Sequence, residues 1–465
     1  MLASILGALM VYLLFLVTLL VIVLFRKRII RWFFVDFVKI IFSDEYHENI
    51  AEMLPAAKHI GLLNTIENQL RAEEGRILHR PISSIKSWPS LDPITFNPVQ
   101  TSPFPLDRET RIDLSTVIGK RAKKPLHIEI PIMIGGMAYG IALSREVKIA
   151  LAKASARLKT AVNSGEGGIL PEEQQEAYKY ILQFSKTAWG KEEEILSNCD
   201  MIEIKLGQGA SAGIGDVILA STIPEDAKKY LGLAEDEDAV IHETFFENQT
   251  LADLRELVDT LRQVTKGVPI GAKIMTSGLI EQDLENLLQI GVDFIALDGA
   301  QGGTHGTAPI LQDDFGIPTL HGLVRAVNYL EKRKVRDKVS LIVGGGLRVP
   351  GDFLKVLALG ADAVYVGTAI LFAANHNQLL KPLPWEGPSE MVFSEGRMTK
   401  QFDIEQGARS AEHYLRACVE EMETALRAMG KRSLKELSPA DLVSYDETIA
   451  RMAGIPFSFA SIKKQ

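Results

Sequence analysis

Glycine clusters follow three apolar runs in the second half of the chain. They are Gly302 and Gly303 with Thr304 after DFIALDG, Gly345 and Gly346 after SLIVGGG, and Gly367 with Thr368 after AVYVG. Glycine has no side chain to keep backbone N–H groups away from phosphate oxygens. One such pair would be an ordinary turn, but three pairs in equivalent positions predict a phosphate site. We therefore expect a phosphate-bearing ligand, either a flavin or a nucleotide.

The elements that must carry these clusters are short apolar runs that alternate with amphipathic stretches. The runs are IEIPIMIGG, MIEIKLG, VPIGAKIM, DFIALDG, SLIVGGG and AVYVG. Strands of this kind, each followed by a helix, are typical of a parallel sheet covered on both faces. About seven or eight units over roughly 250 residues predict a closed (β/α)8 barrel with its site at the carboxyl ends of the strands. The alternative is an open doubly wound sheet, which normally carries its phosphate loop after the first strand.

Composition excludes several classes of protein. The chain has 465 residues, of which 46% are hydrophobic, and a net charge of −8. This composition excludes a disordered or collagenous chain, and the acidic balance argues against a nucleic-acid partner. The two cysteines, Cys199 and Cys418, lie far apart, so we expect no disulfide framework, and we interpret both as reduced interior thiols.

The first part of the chain predicts a membrane anchor. Residues 2–25 form an uncharged apolar run, long enough to cross a hydrocarbon core of about 30 Å. No basic segment precedes it and no small-residue cleavage site is visible, so we expect it to be retained. Basic residues follow the run, and the positive-inside rule then predicts a cytoplasmic catalytic domain. The next stretch, IIRWFFVDFVKIIF, suits an interfacial helix or one packed on the soluble domain.

These patterns divide the chain into four predicted segments. A transmembrane anchor occupies residues 1–25, and a juxtamembrane and connecting segment occupies residues 26–125. The barrel is predicted over residues 126–380, and a C-terminal extension with helices over residues 381–465.

Four motifs, taken together and in this order, resemble the FMN-binding synthase domain of glutamate synthase. They are Asn163-Ser-Gly-Glu-Gly-Gly168, Glu203-Ile-Lys-Leu-Gly-Gln-Gly-Ala210, Asp298-Gly-Ala-Gln-Gly-Gly-Thr304, and Gly345-Gly-Leu-Arg348 with Leu359-Gly-Ala-Asp362 and Gly367-Thr368. The resemblance spans roughly residues 80–440. It implies an FMN-binding (β/α)8 barrel that reduces 2-iminoglutarate, formed from 2-oxoglutarate and ammonia, to L-glutamate.

The resemblance also assigns site residues. It implies that the segment GGMAYG, with Met137 and Ala138, lies beside the flavin ring, and that Glu166, Lys205 and Gln208 surround the substrate. It places Lys273 at the pyrimidine edge of the flavin and the glycine and threonine clusters at its phosphate.

The charges of these residues agree with those roles. A cation near the flavin ring stabilises the reduced anion, and a lysine is a counter-charge for a keto-acid carboxylate. Lys205 and Lys273 each close an apolar run, where a buried lysine without a function is costly, although a solvated strand end is the alternative for each. Glu166, between glycines, is either a turn residue or a carboxylate for proton transfer or polar positioning.

Four departures from the family pattern limit what the resemblance implies. The stretch LFAANHNQLLKPLPWEGPSE lacks the family's cluster-binding cysteines, so we predict no iron–sulfur centre. The membrane span leaves no room for an N-terminal amidotransferase domain, so we expect glutamine not to be the ammonia source within this polypeptide. Ala138 stands where the family has serine, and one extra residue brings in His305, to which we assign no role beyond a phosphate contact.

Two other functions remain as alternatives. A non-catalytic or differently specific membrane-anchored flavoprotein would keep the barrel and the flavin. A barrel similar to inosine monophosphate dehydrogenase would need a catalytic cysteine near the phosphate site, where neither Cys199 nor Cys418 lies. No GxGxxG motif follows a strand and opens a helix, so the electron donor is unknown: a nicotinamide, a ferredoxin-like protein or a membrane component.

Overall fold

The computed structural model describes residues 2–45, 49, 51 and 53–459. Met1, positions within the predicted connecting segment and positions 460–465 of the predicted extension lie outside the described residues. The chain divides into two compact units, residues 1–78 and residues 79–465.

The first unit consists of helices. A single helix, Leu2–Ser43, runs through the predicted span and continues through the aromatic stretch that follows it. This helix is long and apolar enough to cross a membrane, with a mean hydropathy of 2.7 in its most apolar part. Two shorter helices, Met53–Ile60 and Leu62–Glu74, follow, and the second ends at Gly75 in the left-handed conformation.

The second unit is a closed barrel of eight parallel strands, which confirms the predicted fold class. The strands are β1 (Ile132–Ile134), β2 (Ala161–Asn163), β3 (Lys179–Phe184), β4 (Met201–Lys205), β5 (Ile270–Met275), β6 (Phe294–Asp298), β7 (Ser340–Gly344) and β8 (Ala363–Val366). They pair in sequence order, and β8 closes the barrel on β1. The six apolar runs singled out in the sequence contain β1 and β4–β8, whereas β2 and β3 were not among them.

At least one helix follows each barrel strand. In strand order these helices are Arg145–Arg157, Pro171–Glu176, Glu193–Ser197, Leu251–Val264, Ile280–Ile290, Thr319–Lys332, Pro350–Ala358 and Ile404–Ala428. Their buried residues recur at helical spacing; in Leu251–Val264 they are Leu254, Val258 and Leu261. Thr250 and Asp253 cap that helix reciprocally.

Smaller elements complete the second unit. The other helices are Glu225–Leu231, Pro309–Asp313, Thr368–Ala374, Ser389–Val392 and Glu447–Ala453. Four antiparallel ladders pair Arg80–Ile82 with Thr304–Thr307, Ile94–Phe96 with Leu442–Ser444, Thr116–Ile118 with Leu126–Ile128, and Asp216–Ile218 with Ala239–Ile241.

Candidate active site

The interior of the barrel has an apolar lower part and a polar upper part. Apolar side chains of the strands form one buried cluster with the hairpin at residues 116–128: Met133, Ala161, Ile181, Met201, Phe294 and Ile342 with Ile118, Leu126 and Ile128. Buried polar side chains lie towards the carboxyl ends of the strands: Asn163, Gln183, Glu203, Lys273 and Asp298. Because alternate strand residues face inward, Met201, Glu203 and Lys205 share this face of β4. The polar part is therefore where a barrel of this type places chemistry.

Glu203 is a fully buried carboxylate in this polar part. Its Oε1 accepts hydrogen bonds from Asn163 Nδ2 at 2.9 Å and from Gln183 Nε2 at 2.7 Å. Its Oε2 is a buried oxygen with no hydrogen-bond partner among the described residues. Burial, and then the charge of Glu203, raise the pKa of Tyr365, so the tyrosine hydroxyl keeps its proton.

Lys273 carries a buried positive charge beside these carboxylates. Its Nζ lies 3.1 Å from Asp298 Oδ2 and donates to Gln208 Oε1 at 3.4 Å. Burial lowers the pKa of Lys273, but the carboxylates of Asp298 and Glu203 raise it, and the net effect is a raised pKa. The lysine is therefore charged, and Gln208 reaches it from the loop after β4.

Lys205 and Glu166 form an ion pair at the carboxyl ends of β4 and β2. Both side chains are largely buried, at 12% and 17% exposure. The main-chain oxygen of Glu166 accepts a hydrogen bond from Trp189 Nε1 at 2.8 Å, which fixes the loop that presents its carboxylate. Lys205 is therefore paired and not a solvated strand end.

Two site loops pack backbone against backbone. A Cβ atom at Gly167 would lie 2.2 Å from Tyr139 O, and one at Gly165, where φ is +70°, would lie 2.5 Å from Ala138 N. The loop that carries Glu166 therefore needs glycine on both sides of it. This contact brings the predicted substrate loop against the predicted flavin loop.

Lys148 contacts the same two loops through their main-chain oxygens. Its Nζ donates to Met137 O at 2.6 Å and to Ser164 O at 2.9 Å, and lies 2.8 Å from Glu173 Oε1. Tyr180 donates to Glu173 Oε2 at 3.2 Å. Burial raises the pKa of Glu173 to about 7, against the opposing effect of Lys148.

The three glycine clusters follow the neighbouring strands β6, β7 and β8 and meet one another. A Cβ atom at Gly345 would lie 2.7 Å from Gly299 N, one at Gly346 2.5 Å from Gln301 Cβ, and one at Gly303 3.1 Å from Thr368 Oγ1. At these positions glycine is needed because a side chain would collide with a neighbouring loop. At Gly367 a Cβ atom would meet nothing within 4 Å. The space a ligand could use therefore opens at Gly367, where the helix Thr368–Ala374 begins.

Other predicted site residues lie around these loops. A Cβ atom at Gly302 would lie 2.8 Å from Asp298 Oδ1. The first glycine cluster therefore lies beside the Lys273–Asp298 pair. Thr304 begins the short strand that pairs with Arg80–Ile82. His305 Nε2 lies 3.2 Å from Glu395 Oε1, and its ring packs edge-on against Phe393.

Several polar residues of the site were not among those predicted from the sequence. Glu203 and Asp298 lie inside quoted motifs, and their charge within apolar strands was a usable signal. Lys148 lies on the buried side of the amphipathic stretch 145–157, where a lysine is unusual. Glu173 has no comparable local signal, because its partners come from other elements.

The described residues contain no group of three or more histidine, cysteine, aspartate or glutamate side chains placed to hold a metal ion. Cys199 and Cys418 are both free and buried, which confirms their interpretation as interior thiols. Burial raises the pKa of Cys199 to about 12, so this thiol stays protonated.

A closed (β/α)8 barrel with buried lysine–carboxylate pairs at the carboxyl ends of its strands has the architecture of a barrel enzyme. Two solved structures share this fold: a mutant flavocytochrome b2 with pyruvate bound, at 18% identity and a TM-score of 0.50 over 83% of this chain and 84% of that one, and a mutant of an active chimera of (S)-mandelate dehydrogenase, at 17% identity and a TM-score of 0.50 over 76% and 88%. They are similar in fold alone.

Sequence comparison identifies the family. The family model described as the conserved region in glutamate synthase matches residues 91–432. A glutamate synthase large subunit-like protein of Rhizobium meliloti (strain 1021) is 33% identical over 399 residues, 80% of this chain and 88% of that one. An archaeal glutamate synthase (NADPH) of Methanocaldococcus jannaschii is 29% identical over 363 residues, 75% and 71%. The chain belongs to the glutamate synthase family and is an oxidoreductase of the class that acts on CH–NH2 donors.

Proposed function

We propose that this protein is a membrane-anchored, FMN-dependent oxidoreductase that reduces 2-iminoglutarate, formed from 2-oxoglutarate and ammonia, or a related imino or keto acid, to an amino acid. The observation that supports this most is the pair of lysine–carboxylate contacts, Lys205–Glu166 and Lys273–Asp298, whose lysines lie in register on neighbouring strands. A negatively charged ring and a negatively charged substrate each need a cation here.

The residues present fit FMN. Its phosphate would be held by the loops after β6, β7 and β8, with open space at Gly367 and the hydroxyl of Thr368 beside Gly303. The residues assigned to the phosphate are Gly302, Gly303, Thr304, Gly345, Gly346, Gly367 and Thr368. Met137 and Ala138 would line the ring, and the charged Lys273 would stabilise negative charge at its pyrimidine edge. FMN, when bound, supplies the hydride.

Lys205 and Glu166 would act on the substrate. Because they already pair with each other, neither charge is buried alone before the substrate arrives. The ammonium of Lys205 is the counter-charge for a substrate carboxylate, and Glu166 either positions the substrate nitrogen by a hydrogen bond or, when protonated, delivers to it the proton that reduction of the imine requires. Gln208 accepts a hydrogen bond from Lys273 and would contact the substrate beside the cofactor.

The helix Leu2–Ser43 supports the membrane part of the proposal. Its apolar first part precedes Arg26, Lys27, Arg28 and Arg31, so residues 79–465 would lie in the cytoplasm by the positive-inside rule. The electron donor, and the ammonia source, are then components of the cytoplasm or of the membrane. We further propose that this chain carries no iron–sulfur cluster, because Cys199 and Cys418 are its only cysteines.

The experiment that tests the reaction uses the full chain in detergent, with its flavin reduced anaerobically. Adding 2-oxoglutarate and ammonium together should reoxidise the flavin and form glutamate, whereas either one alone should not. Pyruvate with ammonium is the matched control for a related keto acid. Reoxidation by pyruvate and not by 2-oxoglutarate would assign a different substrate, and a flavin that no imino or keto acid reoxidises would support the non-catalytic flavoprotein. A colourless protein without FMN would overturn the proposal.

A further inference from the structure

Large apolar side chains are exposed mainly at one end of the barrel unit. Among the described residues from 79 onward, most of them lie in segments that follow a barrel strand: Ile214, Val217, Leu219, Val240 and Phe246 after β4, Leu279 after β5, Ile310 and Phe315 after β6, Val349 after β7, and Phe372, Leu380, Leu383 and Trp385 after β8. Elsewhere on the unit Phe104, Tyr178, Tyr445 and Phe459 are exposed to this degree, as are Ile82, Ile85 and Leu251 at 40–42%. Segments that follow the strands of a barrel lie at its carboxyl end. The exposed apolar surface is therefore concentrated on the face that holds the candidate site.

The segment after β4 forms part of this face as a two-stranded ribbon. Val217 pairs directly with Val240 across the ladder, and both side chains are exposed. The neighbouring Ile218 faces the other way and packs against the core. The ribbon thus has one side bound to the protein and an apolar side without a partner.

The segment after β8 forms the other part. Phe372, Leu380, Leu383 and Trp385 are all exposed, and Trp385 is exposed to 88%. A tryptophan so exposed, close in sequence to other apolar side chains, marks an interaction surface and not an ordinary solvated loop. Phenylalanine, leucine and tryptophan together are typical of the apolar face that enters a lipid headgroup region, where tryptophan is enriched.

We infer that this carboxyl-end face docks on the surface of a lipid bilayer. The inference rests on the proposed membrane anchor, because the helix Leu2–Ser43 would hold the barrel unit beside a bilayer. Only residues 44–78 separate the end of that helix from the barrel unit. Docking is then intramolecular, so it needs no separate encounter with a bilayer.

The test uses the full chain reconstituted in phosphatidylcholine vesicles, with and without phospholipid brominated in the acyl chain. Bromine quenches the fluorescence of a tryptophan that enters the bilayer. The signal of one tryptophan is the difference between the wild type and the variant that lacks it: Trp385→Phe reports the docking face, and Trp32→Phe reports the anchor helix. A matched control is Arg121→Trp in the Trp385→Phe background, because residue 121 lies in the hairpin between Thr116–Ile118 and Leu126–Ile128, away from the carboxyl end.

We expect loss of most of the Trp385 and Trp32 signals in brominated vesicles and no loss at position 121. Val217→Asp, a change at an exposed position, should restore most of the Trp385 signal without affecting Trp32. If Trp32 is quenched and Trp385 is not, docking is refuted while the anchor stands. If Trp385 is quenched and Trp32 is not, the face binds lipid and the anchor is refuted.

Other results would also overturn the docking. Quenching of neither tryptophan removes both the docking and the anchor. Equal quenching at positions 121 and 385 would show adsorption without a preferred face. A Trp385 emission maximum that shifts with protein concentration in bromine-free detergent would show that a second copy of the chain covers the face instead of lipid.

Discussion

Lys273 Nζ lies 3.1 Å from Asp298 Oδ2 inside the barrel, and both side chains are almost completely removed from solvent. The carboxylate of Glu203, also buried, favours the same ammonium. A single positive charge is thus balanced by two carboxylates from neighbouring strands at the position assigned to the ring of the cofactor.

The contact between Lys273 and Asp298 predicts how much stability the protein loses when the lysine is removed. Lys273→Met leaves Asp298 and Glu203 buried without their cation, and breaking a buried pair in this way costs about 3–5 kcal/mol. Lys273→Met combined with Asp298→Asn should recover part of that loss, because one of the two carboxylates is then neutral. Denaturant unfolding of the solubilised chain measures both. A single variant as stable as the wild type would show that the buried pair does not form.

The Lys148–Glu173 pair predicts a pH dependence of stability. Burial raises the pKa of Glu173 from 4.5 to about 7, so the folded carboxyl binds a proton that the unfolded chain has released between these values. The free energy of unfolding should therefore fall as the pH rises from about 4.5 to about 7, by roughly 3 kcal/mol. Glu173→Gln should remove this slope, and unfolding curves of both proteins across the window test it. A wild type and variant with parallel pH profiles would refute the raised pKa.

Alanine substitution is predicted to have different effects at different glycines of the three clusters. Gly367→Ala places a methyl group in open space, so it should lower flavin occupancy with little effect on stability. Gly346 has a φ of +70° and a contact with Gln301, so Gly346→Ala should destabilise the fold by about 1–2 kcal/mol. Flavin content per chain and the unfolding midpoint separate the two effects. Full occupancy in Gly367→Ala would place the phosphate elsewhere.

The cofactor itself is predicted to be FMN, because the glycine clusters form one phosphate cradle. Heat release followed by chromatography identifies the flavin. Recovery of FAD would require a second site for the adenylate and would contradict the assignment.

The membrane topology is predicted to be a single span with the catalytic domain in the cytoplasm. A reporter fused after Gln465 that is active only in the cytoplasm should be active, and one that is active only outside should be silent. The reverse pattern would refute the orientation drawn from Arg26, Lys27, Arg28 and Arg31.

The sequence predicted most of the elements that a local pattern of apolar residues and glycine identifies. Apolar strands ended by glycine identified β6, β7 and β8 and with them the fold class. β2 was not predicted because only Ala161 and Val162 of its residues are apolar, and β3 was not predicted because Lys179 and Gln183 interrupt its apolar pattern.

The site residues likewise divide into those that a local sequence pattern identifies and those that it does not. Lys205 stands out by residue type at a strand end, Lys273 inside an apolar strand, and Glu166 between glycines. Lys148 is signalled only by its place on the buried side of its helix, and Glu173 has no local signal, because the roles of both depend on contacts between a helix, two loops and a third element. The need for glycine at Gly346 likewise comes from a neighbouring loop, which no local pattern shows.

Under the proposed function, Lys205 and Glu166 act on the substrate, while the glycine loops and Lys273 hold the flavin. The most direct test is a single-turnover reoxidation of the reduced flavin by 2-oxoglutarate and ammonium in Lys205→Ala, with flavin content measured in the same preparation. We expect full flavin content and reoxidation slowed by roughly 10- to 150-fold, the loss expected from about 1.5–3 kcal/mol of a charge-assisted contact. Loss of the flavin together with the activity would instead place Lys205 in the cofactor site.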